Sequence, residues 1–221
     1  MSGVTISFLP AAALSLAWLV SAGAFAVSMA GTPGPNNALL TSSGSLWGFR
    51  RTMPHMLGIS IGFPLMQVCV AVGLGSLLRE NPSVLTVMRW LGAAYLLYLA
   101  WKIATAQPES AHVDGEIQRG SRRPMSFLQA ALFQWVNPKA WLVTLSALAT
   151  VASVGGHPST ARALALAAVF LAVTLPITAF WTMIGVGVSR VFTTRRALRG
   201  FNVTMALLLV ASLVSVLAGF G

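Results

Sequence analysis

The sequence predicts an all-α integral membrane protein, with six transmembrane helices arranged as two inverted three-helix repeats and the first and fourth helices broken at prolines. Three observations predict it. Hydrophobic residues make up 56% of the 221, charged residues only 8%, and the mean hydropathy is +0.79. A soluble domain carries about 25% charged residues, so this chain cannot cover a water-facing surface and needs lipid as its solvent. Apolar stretches of about 20 residues, the length that crosses a bilayer, recur six times. Two of them carry a proline-containing break, Pro33-Gly34-Pro35 with its flanking Gly31 to Asn37 in the first and Asn137-Pro138-Lys139 in the fourth.

The first span runs over about 12–47 and is interrupted by Gly31-Thr32-Pro33-Gly34-Pro35-Asn36-Asn37. Its small-residue end resembles a cleavage site. The first 20 residues, however, contain no Lys or Arg, and a signal peptide needs a positive n-region, so a retained span is expected. Arg50 and Arg51 mark a loop before the second span, about 53–78. There Gly58 and Gly62 form a GxxxG, the pattern that lets membrane helices approach closely, and the single cysteine, Cys69, reads as a small core residue. The third span is about 84–106. Gln107 to Pro124 holds three of the four acidic residues, Glu109, Asp114 and Glu116, and reads as a solvated cytoplasmic loop. It divides the chain into a first repeat (1–106), a polar loop (107–124) and a second repeat (125–221).

The fourth span, about 126–152, contains Asn137-Pro138-Lys139. In the fifth, about 161–189, Thr174, Thr178 and Thr182 recur every four residues around Pro176, and Gly185 and Gly187 loosen its end. Hydroxyls bonding back to their own helix are the plain reading of such threonines; a polar stripe facing a pathway is the other. The sixth span is about 198–219. Loops after spans one, three and five carry ten cations (Arg50, Arg51, Lys102, Arg119, Arg122, Arg123, Arg190, Arg195, Arg196, Arg199) against three opposite (Arg79, Arg89, Arg162). By the positive-inside rule both termini should face away from the cytoplasm. The same rule absorbs the net charge of +10, so no nucleic-acid partner is expected.

The breaks carry the chemistry. Proline in a helix interior removes a hydrogen bond to the residue four before it, so Pro33, Pro35 and Pro138 should free the carbonyls of Met29, Gly31 and Gln134. In lipid such groups persist only where protein or a water-lined cavity satisfies them, and paired breaks in the two halves of a membrane chain point to a transporter's binding site. Each half-helix beyond a break presents a positive N-terminal end suited to a carboxylate, while freed carbonyls suit an ammonium. A zwitterionic amino acid carries both. Lys139 is the lone charge deep in a predicted span, and intramembrane charges are costly and usually functional; the alternative is that it holds the break together. Asn36 and Asn137 flank the breaks either as ligand contacts or as caps. The candidate substrate-binding set is Pro33, Gly34, Pro35, Asn36, Asn37, Gln134, Asn137, Pro138 and Lys139.

These residues resemble the LysE/RhtB family of bacterial amino-acid exporters. The resemblance rests on Pro33-Gly34-Pro35-Asn36-Asn37, Gly48-Phe49-Arg50-Arg51, Leu91-Gly92-Ala93-Ala94-Tyr95-Leu96 and Asn137-Pro138-Lys139, and covers about 30–220. Thr32 to Asn37 and Leu99 to Thr105 are similar to the cysteine/O-acetylserine exporter subgroup. Many family members have Asp where this chain has Asn36, which argues against a lysine or arginine cargo. The resemblance implies a secondary transporter exporting neutral amino acids through the bacterial inner membrane; a passive channel or facilitator for small zwitterions is the alternative. The partners implied are a small amino-acid substrate and membrane lipid, with a homo-oligomer left open and no cofactor.

Two rivals fail on chemistry. A thiol–disulfide electron relay needs paired thiols, and the chain has one cysteine. An intramembrane enzyme needs acid–base groups or a metal-ligand cluster, but Glu80, His55, His112 and His157 lie at span ends or in loops.

Overall fold

The computed structural model describes residues 15–75, 80–105, 123–153, 160–192 and 194–218. Among them all regular structure is helical: α1 (Leu16–Gly31), α2 (Pro35–Cys69) continuing through a π-helical turn (Val70–Leu74), α3 (Pro82–Ala104), α4 (Phe127–Val136), α5 (Pro138–Ser153), α6 (Thr160–Val191) and α7 (Arg195–Ala218). Three stretches are long and apolar enough to cross a membrane, Pro35–Leu74, Thr160–Val191 and Arg196–Val214; Leu16–Gly31 and Phe127–Val136 are shorter apolar helices. Most of the predicted loop Gln107–Pro124, with its three acids, lies outside the described residues, as do Arg79 and His157.

Local chemistry sets the ends. Ser15 caps α1 by accepting the Trp18 N–H at 3.2 Å. Ser126 and Gln129 form a reciprocal capping box at the start of α4, at 3.0 and 3.3 Å, satisfying two donors that a helix start leaves open. Pro35 opens α2 at its first position, where the missing N–H costs nothing.

The loop expected between spans one and two contracts to a single residue. Gly48 (φ 74°, ψ 174°) interrupts α2 in a region of backbone space that glycine alone enters readily, and helix resumes at Phe49. The chain folds back there. Ser43 Oγ and His55 Nδ1 lie 3.1 Å apart, whereas twelve residues of straight helix span roughly 18 Å.

The two arms of α2 pack along α6, while α3 packs on α7 and α1 on α6. Gly58 and Gly62 act as the sequence suggests: a Cβ at either would collide with the backbone of α4, at Phe127 and Ala131 respectively. Gly185 meets the Thr41 carbonyl in the same way, but Gly187 has open space around it. Cys69 departs from expectation. It is exposed, following Leu57, Ile61 and Leu65 at four-residue spacing on the outer face of α2. Its immediate neighbours Val68 and Val70 are apolar, and the buried Gln67 two residues before it was the only polar mark of the inward face on that turn.

Candidate substrate site

The two breaks meet. α1 ends at Gly31, Thr32-Pro33-Gly34 crosses a gap, and α2 begins; α4 ends at Val136, Asn137 alone separates it from α5, and the two gaps pack together. Asn36 and Gln134 join them by paired amide hydrogen bonds, Asn36 Nδ2 donating to Gln134 Oε1 at 2.9 Å and Gln134 Nε2 to Asn36 Oδ1 at 3.2 Å. Gln134 also donates to the Ala130 carbonyl at 2.9 Å.

Lys139 reaches across from α5. Its ammonium donates to the Thr32 carbonyl at 3.0 Å, Thr32 Oγ1 at 2.8 Å and the Pro33 carbonyl at 3.3 Å, which engages all three of its protons. Gly34 accommodates this reach, because a Cβ there would stand 2.8 Å from Nζ and 2.9 Å from Cδ of Lys139.

The freed carbonyls are largely taken by protein. Thr32 Oγ1 donates to the Met29 carbonyl at 3.0 Å, and Asn37 Nδ2 bridges the carbonyls of Ala30 and Thr32, both at 2.8 Å. At the second break the Asn137 N–H donates to the Gln134 carbonyl at 3.3 Å. Asn137 is a cap: its Oδ1 accepts the Lys139 N–H at 3.1 Å and its carbonyl accepts from Ala140 at 3.0 Å. The start of α2 differs, with Gly34 in the capping position and no side-chain cap. The positive end left open to an incoming anion is that of α2.

A cavity of about 50 Å³ lies against these groups, room for a few waters at roughly 10–15 Å³ each. Of the predicted residues Gly34, Asn36, Asn37, Asn137 and Lys139 line it, whereas Pro33, Pro35, Gln134 and Pro138 shape the breaks behind it. Thr174 and Thr178 line its far wall. Both bond back to their own helix, to the carbonyls of Phe170 at 2.7 Å and Leu175 at 2.9 Å, and Thr182 does so to Thr178 at 2.8 Å. Ile59, Phe63, Val143 and Phe170 supply an apolar wall that the motif reading missed. Ile59 and Phe63 follow Gly58 and Gly62 by one position, and that spacing was the available signal. Thr32 was missed as well, although a hydroxyl between Gly31 and Pro33 in an apolar span is unusual company.

No acidic side chain is among the residues that line this cavity. An ammonium, an open helix start and amide groups face a small cavity between apolar helices, an arrangement belonging to multi-pass membrane transport proteins. The chain belongs to the LysE type translocator family, whose match covers residues 27–217; these are translocators, not enzymes. It is similar to the cysteine/O-acetylserine efflux proteins of Salmonella paratyphi A (strain ATCC 9150 / SARB42), at 38% identity, and Escherichia coli (strain K12), at 37%, each over 120 residues. Each match covers 54% of this chain and 57% of the relative, so it spans little more than half the length of those curated proteins. No solved structure matches the chain.

Proposed function

We propose that this protein is a secondary transporter of the inner membrane that exports neutral amino acids, cysteine- or O-acetylserine-like, from the cytoplasm. The observation that carries the reading is the cavity at the paired breaks, lined by Lys139 and the uncapped start of α2 and by no carboxylate. That charge pattern favours a substrate carboxylate. Thr174 and Thr178 direct their hydroxyl protons to their own helix, which leaves oxygen lone pairs as acceptors for the substrate ammonium. A cationic side chain would meet Lys139 with nothing to neutralise it.

In this reading α1 and the first arm of α2 form one broken span and α4 with α5 another, so the chain makes six spans in two inverted repeats of three. The nine residues of the two breaks form and support the binding site.

The test is transport by the purified protein in liposomes, comparing labelled neutral amino acids with lysine and a sugar, each with and without an imposed ion gradient. Neutral amino acids should move, and faster with the gradient. Movement of lysine or sugar alone would overturn the substrate class, and rates indifferent to every gradient would make the protein a passive facilitator.

A further inference from the structure

Beyond the cavity, polar atoms without partners stand at either end of it. Gln67 is 1% exposed, yet neither its amide nitrogen nor its amide oxygen meets a hydrogen-bonding partner among the described residues. Thr144 is fully buried and its Oγ1 is likewise unpartnered. Gln67 follows the cavity residue Phe63 by one turn of α2, and Thr144 follows the cavity residue Val143 on α5. Their helix neighbours Met66 and Val70, and Val143 and Ala147, belong to one apolar cluster, and an apolar interior is the least favourable place for such groups.

On the side toward the Gly48 turn the pattern repeats. His55 precedes the cavity residue Ile59 by one turn, and Trp181 follows Ile177 by one turn of α6. His55 Nδ1 shares a hydrogen bond with Ser43 Oγ, while its Nε2, like Trp181 Nε1, has no partner among the described residues. The arm of α2 and α6 lie side by side between these positions, with Ser60 Oγ and Thr178 Oγ1 3.2 Å apart.

Buried polar groups are nearly always satisfied, and an unsatisfied one calls for a physical reason. Four such side chains, placed one turn or less beyond the cavity on both sides, share one. We propose that His55 and Trp181 on one side, and Gln67 and Thr144 on the other, line the translocation route and hydrogen-bond the moving amino acid or its water as it enters and leaves the central cavity. The proposal rests on the transport reading above and extends it from a site to a path. In an alternating-access cycle, groups closed over in one state face the open vestibule in another.

The test uses full-length protein carrying Gln67→Leu, Thr144→Val or Trp181→Phe. Removing an unpartnered polar group from an apolar interior leaves stability unchanged or raised, so melting temperatures should hold. Export rates should fall at least tenfold for Gln67→Leu and severalfold for the other two. Wild-type export by Gln67→Leu would overturn the proposal. A variant that loses transport and folded protein together would also count against it, because that marks a structural water site.

Water access is read independently by Gln67→Cys in a Cys69→Ser background, labelled with a small charged thiol reagent. Labelling that the transported amino acid suppresses supports the route. Absence of labelling, while detergent-denatured protein labels fully, overturns it. If the unmodified protein moves no amino acid the transport reading fails, whereas labelling at position 67 still reports a water-accessible path.

Discussion

At the residue scale, the ammonium of Lys139 can act as a clamp, as a carboxylate receptor, or as both, and its contacts separate these roles. It holds Thr32 and Pro33 through three hydrogen bonds. Lys139→Met keeps most of the side chain's apolar length but strands those acceptors, which should cost about 1–3 kcal/mol. Thr32→Val removes part of the same network, so the two losses should be non-additive in a double-mutant cycle, as expected of residues in direct contact. Thermal unfolding in detergent measures this. If the ammonium also receives the substrate, Lys139→Met should lose export far beyond what Thr32→Val loses at matched stability. Equal losses of export in the two variants would confine Lys139 to the clamp. Lys139→Arg should restore little of either function, since a planar fork does not fit where a compact ammonium meets three oxygens.

At the scale of elements, the turn at Gly48 rests on one residue's backbone. A Cβ there would meet nothing within 4 Å, so any cost of substitution comes from φ and ψ alone. Gly48→Ala should destabilise by about 1–3 kcal/mol. Gly23→Ala, in the body of α1 with equally open surroundings, should stabilise by roughly 0.5–1 kcal/mol. Thermal melts of the two variants side by side check both signs, and a neutral Gly48→Ala would mean that the fold-back does not depend on glycine. The one-residue turn was not read from the sequence, where a loop stood between the first two spans; the proline breaks and the Gly58–Gly62 pair were legible because they are local. Proline lacks an N–H, and Gly58 and Gly62 lie one turn apart on a single face. The pairings were not legible. Asn36 meets Gln134, and Lys139 meets Thr32, across 98 and 107 residues, and only packing decides which polar group satisfies which. The same limit hid the donors that take the freed carbonyls, the Thr32 hydroxyl for Met29 and the Asn137 N–H for Gln134, and the outward direction of Cys69, whose immediate neighbours Val68 and Val70 are both apolar.

At the scale of the molecule, the asymmetry of ten cations against three sets the expected orientation of the proposed six spans. A reporter that is active only in the cytoplasm, fused after Gly221, should stay silent, and strong activity there would reverse the orientation or change the span count. The placement of the one thiol bears on what such a protein could safely carry. Thiols and disulfides exchange wherever a thiolate can reach a sulfur. Cys69 stands on the outer face of α2 beside Ile61 and Leu65, it does not line the cavity, and the chain has no other cysteine. On the transport reading proposed above, a cargo bearing its own sulfhydryl, or the oxidised dimer of one, would meet no thiol among the residues that line the cavity, and the one thiol of the chain would be reached only from the outer face of α2.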